Sequence, residues 1–376
     1  MCVLTFETLK AYTNIIHQNL KGAMNMVELQ IAESKSMEFG LYTLGDHIEH
    51  HITGHKISEQ QRMKEIIDLA KLTEDAGLDV FGVGESHQEH FVATSTPVIL
   101  GAIASVTKKI KLISASTVLS TSDPVRVYED FSTVDLLSEG RAEIVSGRGS
   151  RYGAYELFGY DLKDYDELFE EKFDLLTRLN KEQSVTWSGR FRAPLQNTEL
   201  FPKPMNEHIP IWRAVGEHYS SAIQAGRMGV PMHLAALYGA SSVFARRVDA
   251  YRRIATESGH DAEKLPVAVA TMVYIDKDSQ TAMRDYFPYV NNTFTKARGT
   301  PFPKDHYAEG ASIKNTMMVG SPQQIIEKIL YQHELFGHNR FIAQIDSSGI
   351  PFSKVQKMIE MFATIVVPTV KKAIMK

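Results

Sequence analysis

From Met37 onward, short runs rich in β-branched and aromatic residues alternate with longer stretches whose apolar positions recur every three to four residues. FGLYTL (39–44) leads to a helical pattern over 61–76, and LDVFGVGE (78–85) to one over 97–107. The arrangement repeats with IKLISASTVL (110–119), RAEIVSG (141–147), IPIWRAVG (209–216), VPMHLAAL (230–237), LPVAVATMVYID (265–276) and NRFIAQID (339–346). Helices are expected after them over 125–138, 166–179, 220–228, 242–258, 279–297 and 354–371. Strands that each precede a helix predict an α/β fold with a parallel sheet, and eight of them favour a closed (β/α)8 barrel over an open doubly wound sheet. Two insertions interrupt the spacing. After strand four, VTWSGRFRA reads as a small hairpin around Ser188-Gly189. After strand seven, residues 298–318 hold Gly299, Pro301, Pro303 and Gly310 and read as a long loop. One barrel domain over 37–376 is expected, preceded by an N-terminal extension over 1–36 that is either helical or disordered.

The helix over 97–107, PVILGAIASVT, is apolar or small on nearly every side, whereas an outer barrel helix ordinarily keeps one wet face. A homodimer built on this helix and its neighbour over 125–138 follows as an expectation.

Composition narrows the partners. With 376 residues, 43% hydrophobic and 23% charged, the chain reads as globular. A formal net charge of −4, with lysines and arginines scattered along the chain, argues against nucleic acid and points to a small molecule. No run reaches the roughly 20 apolar residues that span a bilayer. The start of the chain has no secretory pattern, because Glu7, Lys10, Asn14, His17 and Lys21 break every apolar stretch. The single cysteine, Cys2, allows no intrachain disulfide, which fits a cytoplasmic setting.

Barrel chemistry sits at the C-terminal ends of the strands. Strand four ends in SGRG: Gly147 and Gly149 let backbone N–H groups approach an anion, and Arg148 between them offers a planar fork to a phosphate. Strand five ends in VGEHYSSA, where Glu217, His218 and Ser221 open a helix whose free N–H groups face the same end. Taken singly, SGRG reads equally well as a tight turn, and serines at a helix start are more often plain caps. Strand two ends in GESHQEH, which places Glu85, His87 and His90 where proton transfer near neutral pH is performed. The first loop carries His47, His50, His51 and His55, but two glycines make it a poor scaffold for a metal and none is expected.

The long block SASTVLSTSDPVRVYEDFSTVDLLSEGRAEIVSGRGSRYGAYELFGYD, with LDVFGVGESH, IPIWRAVGE and MFATIVVP, resembles the bacterial luciferase-like flavin monooxygenases. The resemblance runs from Met37 to about Lys372. It implies a barrel, commonly dimeric, that binds reduced FMN with Arg148 and with Glu217, His218 and Ser221 at the phosphate. It also implies a non-proline cis peptide under the flavin at Ala115-Ser116. The implied reaction uses dioxygen to oxygenate a small organic substrate in a dry pocket, for which Tyr42, Phe91, Trp212 and Tyr238 are candidate lining and 298–314 a candidate lid. No GxGxxG follows the first strand, so a separate NAD(P)H-dependent flavin reductase is the expected source of reduced FMN. Where bacterial luciferase has Glu-His-His, this chain has Glu85-Ser86-His87, so His87 or His90 must take the proton-transfer role if it is needed. Two alternatives stay open. One is hydride transfer with a deazaflavin, whose anionic tail would need a further basic patch near Arg151 or Arg190; the other is an FMN-binding protein without turnover.

Overall fold

The computed structural model describes residues 37–149 and 153–375, so the extension expected over 1–36 lies outside the described residues. Eight strands form the barrel: Glu38–Thr43, Val80–Val83, Lys111–Ser114, Ala142–Gly147, Ile211–Val215, Met232–Ala235, Val267–Ile275 and Arg340–Gln344. Each is parallel to its neighbours, and the eighth returns to the first through Phe39 opposite Phe341 and Leu41 opposite Ala343. The sheet is closed, as the eight repeats predict. Strand residues facing inward, among them Tyr42, Val80, Ile113, Val145 and Ile342, fill the interior; those facing outward, such as Phe39, Leu41, Phe81 and Leu112, join the surrounding core. Burial on both faces is why the strands read as apolar runs.

At the N-terminal end the interior changes from apolar to charged. Arg340 donates to both oxygens of Glu143 (2.6 and 3.0 Å) and to Glu38 (2.6 Å), and lies 4.5 Å over the Trp212 ring. Trp212 in turn donates its indole N–H to Glu143 at 2.7 Å. Burial alone would raise the Glu143 carboxyl, but Arg340 and Lys111 hold it below the usual carboxylate range. Trp212 is therefore core in this layer and not pocket lining, a correction to the expectation for that residue.

Two buried imidazoles make the fold acid-sensitive. Burial, reinforced by the positive Arg340, drops His233 to about 3; burial, reinforced by His333, does the same to His338. Below the ordinary histidine value the unfolded chain gains these protons and the native chain does not, so stability falls as pH falls. Between pH 6 and 5, unfolding is expected to take up just under two protons, lowering stability by about 2.4 kcal/mol over that unit. Denaturant midpoints measured across that window check this, and a flat profile would show that neither ring is held neutral.

Several elements differ from the sequence pattern. Strand three stops at Ser114 and resumes as a short strand, Thr117–Val118, after a cis peptide at Ala115-Ser116. The hairpin after strand four exists, as Val185–Trp187 against Leu195–Thr198, but its connection is longer than a two-residue turn. The Glu171 carboxylate organises that connection by accepting from the backbone of Arg190 (2.7 Å) and Phe191 (2.9 Å). The stretch 298–318 is not all loop: it contains the helix Lys304–Glu309 and leads into a strand, Met318–Gly320, parallel to the end of strand seven. The barrel helix before strand eight is Pro322–Phe336, which makes the helix Ser279–Arg298 part of the insertion. Lys328 on that barrel helix is fully buried and binds the carbonyls of Gly310 and Met317, fastening the insertion to the barrel. The C-terminal helix runs unbroken from Phe352 to Ile374, but with a π turn at Phe362–Val366 just before Pro368, which has no N–H to give the ladder.

The helices Thr96–Val106 and Pro124–Leu137, where a dimer contact was expected, expose Val98, Val106, Leu136 and Leu137. No helix among the described residues is long and apolar enough to cross a membrane.

Candidate functional site

The strand ends bring most of the expected residues into two adjoining groups. In the first, Glu85 accepts from the backbone N–H of Val118 (2.9 Å) with one oxygen and contacts Nε2 of His87 (2.8 Å) with the other. Val118 lies just beyond Ala115-Ser116, so the carboxylate ties the end of strand two to the break in strand three. Phe158, itself about half exposed, stands edge-on to the His87 ring at 4.8 Å. Ser86, at the position where a histidine was looked for, is buried and its hydroxyl has no partner.

The second group surrounds Arg148, which is buried at the end of strand four. Its Nη1 donates to the Ser221 hydroxyl (2.7 Å) and its Nη2 to Glu170 (2.7 Å), while Asp166 lies 3.2 Å from Nε. The Phe169 ring supports the guanidinium from 4.5 Å, and the Tyr155 hydroxyl donates to the Arg148 carbonyl at 2.7 Å. Ser221 belongs to the helix Tyr219–Met228, which starts at His218 without a capping side chain and so leaves first-turn N–H groups for an anion. Glu217 and His218 are exposed beside it.

Glycines join the two groups. A Cβ at Gly147 would stand 2.4 Å from the Ser116 hydroxyl, and Gly149 adopts φ +78° with its α-carbon face against Val118. Only glycine allows strands three and four to approach so closely there. His90, by contrast, is not brought to either group. It borders a separate cavity of about 260 Å³ with Ile48, Phe91, Thr293 and Lys296. Of the other lining candidates, Tyr42 is barrel interior and Tyr238 stacks edge-on with Phe302 of the insertion at 5.7 Å. In the first loop His47 bonds the Ile57 carbonyl (2.7 Å), and His50 and His51 stack on each other against Tyr289.

The sequence reading missed Glu170, Asp166 and Arg213. Arg213 in strand five has no exposure, sits 4.8 Å from Phe169 and 5.2 Å from Phe173, and grips Glu170 with both Nη atoms. A charged residue inside the apolar run IPIWRAVG demands a buried counter-charge, and that signal was available.

Comparison with known proteins follows the same lines. A family model described as luciferase-like monooxygenase matches residues 37–339. The chain is 24% identical over 344 residues to the alkanal monooxygenase alpha chain of a Kryptophanaron alfredi symbiont, covering 84% of this chain and 95% of the relative. It is 24% identical over 343 residues to the oxygenase component of a flavin-dependent trigonelline monooxygenase from Acinetobacter baylyi, covering 83% and 92%. Among solved structures, monooxygenase RslO1 from Streptomyces bottropensis superposes with a TM-score of 0.78 at 20% identity, covering 89% of this chain and 99% of its own. The oxygenating constituent of 3,6-diketocamphane monooxygenase from Pseudomonas putida, in complex with FMN, gives 0.71 at 17% with the same coverage. An F420-dependent secondary alcohol dehydrogenase gives 0.67 at 17%, again covering 89% and 99%. At these identities the structural likenesses speak to the fold alone.

Proposed function

Because this chain belongs to the luciferase-like monooxygenase family, we propose that it oxygenates a small organic substrate with dioxygen and reduced FMN, the flavin arriving from a separate NAD(P)H-dependent reductase. The observation that carries the reading is the meeting of an anion cradle at Arg148 and Ser221 with a carboxylate–imidazole pair at Glu85 and His87. The cradle suits a phosphate monoester: a guanidinium fork, a hydroxyl and an uncapped helix start converge, and the nearby hydroxyls of Ser146 and Thr117 are buried without partners. When bound, reduced FMN would supply the electrons that activate dioxygen. Arg148 and Ser221 would hold its phosphate. With Nε2–H of His87 donating to Glu85, the lone pair on Nδ1 is left to take up or return a proton. The oxygenase component of the trigonelline enzyme supports a two-protein arrangement, since its name implies a partner.

The deazaflavin alternative is supported by the shared barrel of the F420-dependent dehydrogenase. Against it, Arg190 is already held by Asp164 (2.8 Å) and Glu167 (2.5 Å); Arg151 lies outside the described residues and bears on neither reading.

The test is cofactor titration with Arg148→Ala. The wild type is expected to bind FMN more tightly than riboflavin, and the variant to lose about 10- to 100-fold in FMN affinity with riboflavin affinity unchanged. Equal losses for both ligands would remove Arg148 from the phosphate.

A further inference from the structure

Arg148 is surrounded by carboxylates in a way that a site meant only to attract a phosphate would avoid. Its two Nη atoms donate to the Ser221 hydroxyl and to Glu170, whereas Nε makes no hydrogen bond and has Asp166 beside it at 3.2 Å as an ion-pair contact alone. The two acids are held very differently. Glu170 is pinned from behind by the fully buried Arg213, which donates to both of its oxygens. Asp166 sits in the first turn of the helix Tyr165–Lys181, its side chain is 75% exposed, and its contact to Nε is its sole ion pair among the described residues. Glu170 is thus a fixed part of the cradle, while Asp166 is free to swing into solvent.

We propose that Asp166 is a tethered competitor for the phosphate: it occupies Arg148 when no ligand is present, must be displaced for the phosphate to bind, and thereby keeps flavin binding weak and exchangeable. This rests on the phosphate assignment made above. Two features support it. The guanidinium charges of Arg148 and Arg213 are already balanced by Glu170 and Asp166, so an incoming phosphate meets a neutral site unless one acid leaves. Of the two, Asp166 has only Arg148 and no second cation behind it, and its exposure makes leaving cheap in desolvation. A protein that takes reduced flavin from another enzyme and gives it back after each turnover is served by such a site, because fast release follows from weak binding.

Asp166 also lies where an acid favours the helix macrodipole, and the experiment separates that role from competition. Oxidised FMN and riboflavin are titrated against the wild type, Asp166→Asn and Asp166→Glu by flavin fluorescence, with FMN release rates and melting midpoints measured on the same proteins. The expected result is that Asp166→Asn binds FMN about three- to tenfold more tightly and releases it correspondingly more slowly, with riboflavin binding unchanged. Asp166→Glu, which keeps the charge, is expected to behave as the wild type. FMN affinity that stays unchanged or weakens in Asp166→Asn, in a wild type that prefers FMN to riboflavin, overturns the competitor role and leaves the phosphate assignment standing. A lower melting midpoint with unchanged FMN affinity assigns Asp166 to helix stability and has the same effect. A wild type that binds FMN and riboflavin equally well overturns the phosphate assignment, and this proposal with it.

Discussion

Replacing Arg340 by methionine is expected to destabilise the protein by about 3–5 kcal/mol, the cost of leaving a buried ion without its partner. Glu143 would keep only Lys111 and the Trp212 indole N–H as close partners, and Glu38 would lose its contact across the first and eighth strands. Arg340 also contributes packing, because its guanidinium covers the face of Trp212. The contrast is the double variant Arg340→Met with Glu143→Leu. Removing both charges leaves no unpaired ion, so a substantial part of the loss is expected to return. Denaturant midpoints of the two single variants and the double variant measure this, and a double variant as unstable as the sum of the singles would show that the pair does not act as a unit.

The largest effect on turnover is expected from His87→Gln, a fall in kcat of about 10²- to 10⁴-fold, the range supplied by one positioned acid–base group. The prediction follows from geometry: Glu85 fixes both the ring and its tautomer, and the glutamate is itself anchored by the Val118 N–H. FMN affinity should stay within a few-fold of the wild type, since Arg148 and Ser221 lie in the other group of residues. A kcat that survives the substitution would take the proton-transfer role away from His87, and a parallel loss of FMN affinity would mark it as structural.

The barrel was legible because its strands are buried on both faces and its helices on one, which writes two distinct periods into the chain. What escaped has physical causes that differ from case to case. The helix Pro322–Phe336 has a complete signature, with Ser321 capping the Gln324 N–H, proline in the first turn and Gly337 at φ +55° beyond the end. It was passed over because the helical pattern over 279–297 already supplies a partner for strand seven, which left 319–338 without an assignment. The break in strand three left no periodic trace, since Ala115 and Ser116 fit a strand as well as a turn; only family resemblance pointed there. Arg148 and Ser221 were weak signals taken singly and gained weight only as two halves of one cradle; a 2.7 Å contact joins them. Glu170 and Asp166 escaped because acids on a helix surface are ordinary, and their meaning depends on arginines carried by two separate strands, Arg148 and Arg213. His90 shows the opposite error: closeness in sequence to Glu85 and His87 suggested a shared role, but the chain turns and carries it into another cavity.

The way the insertion after strand seven is attached has a bearing on how such a protein diversifies. Strand seven completes its ladders to strands six and eight by Met272, before the insertion begins, and Met318–Gly320 returns the chain beside Val273–Ile275 of the same strand. Entry and exit are therefore neighbours on one strand, and Lys328 fastens the far end through backbone carbonyls, which any sequence presents. The intervening residues reach the strand-one loop through Tyr289 against His50 and Asn292 against the Glu49 carbonyl. The segment behaves as a cassette: its side chains can drift, lengthen or be exchanged over the mouth of the barrel while the hydrogen bonds that close the barrel stay untouched.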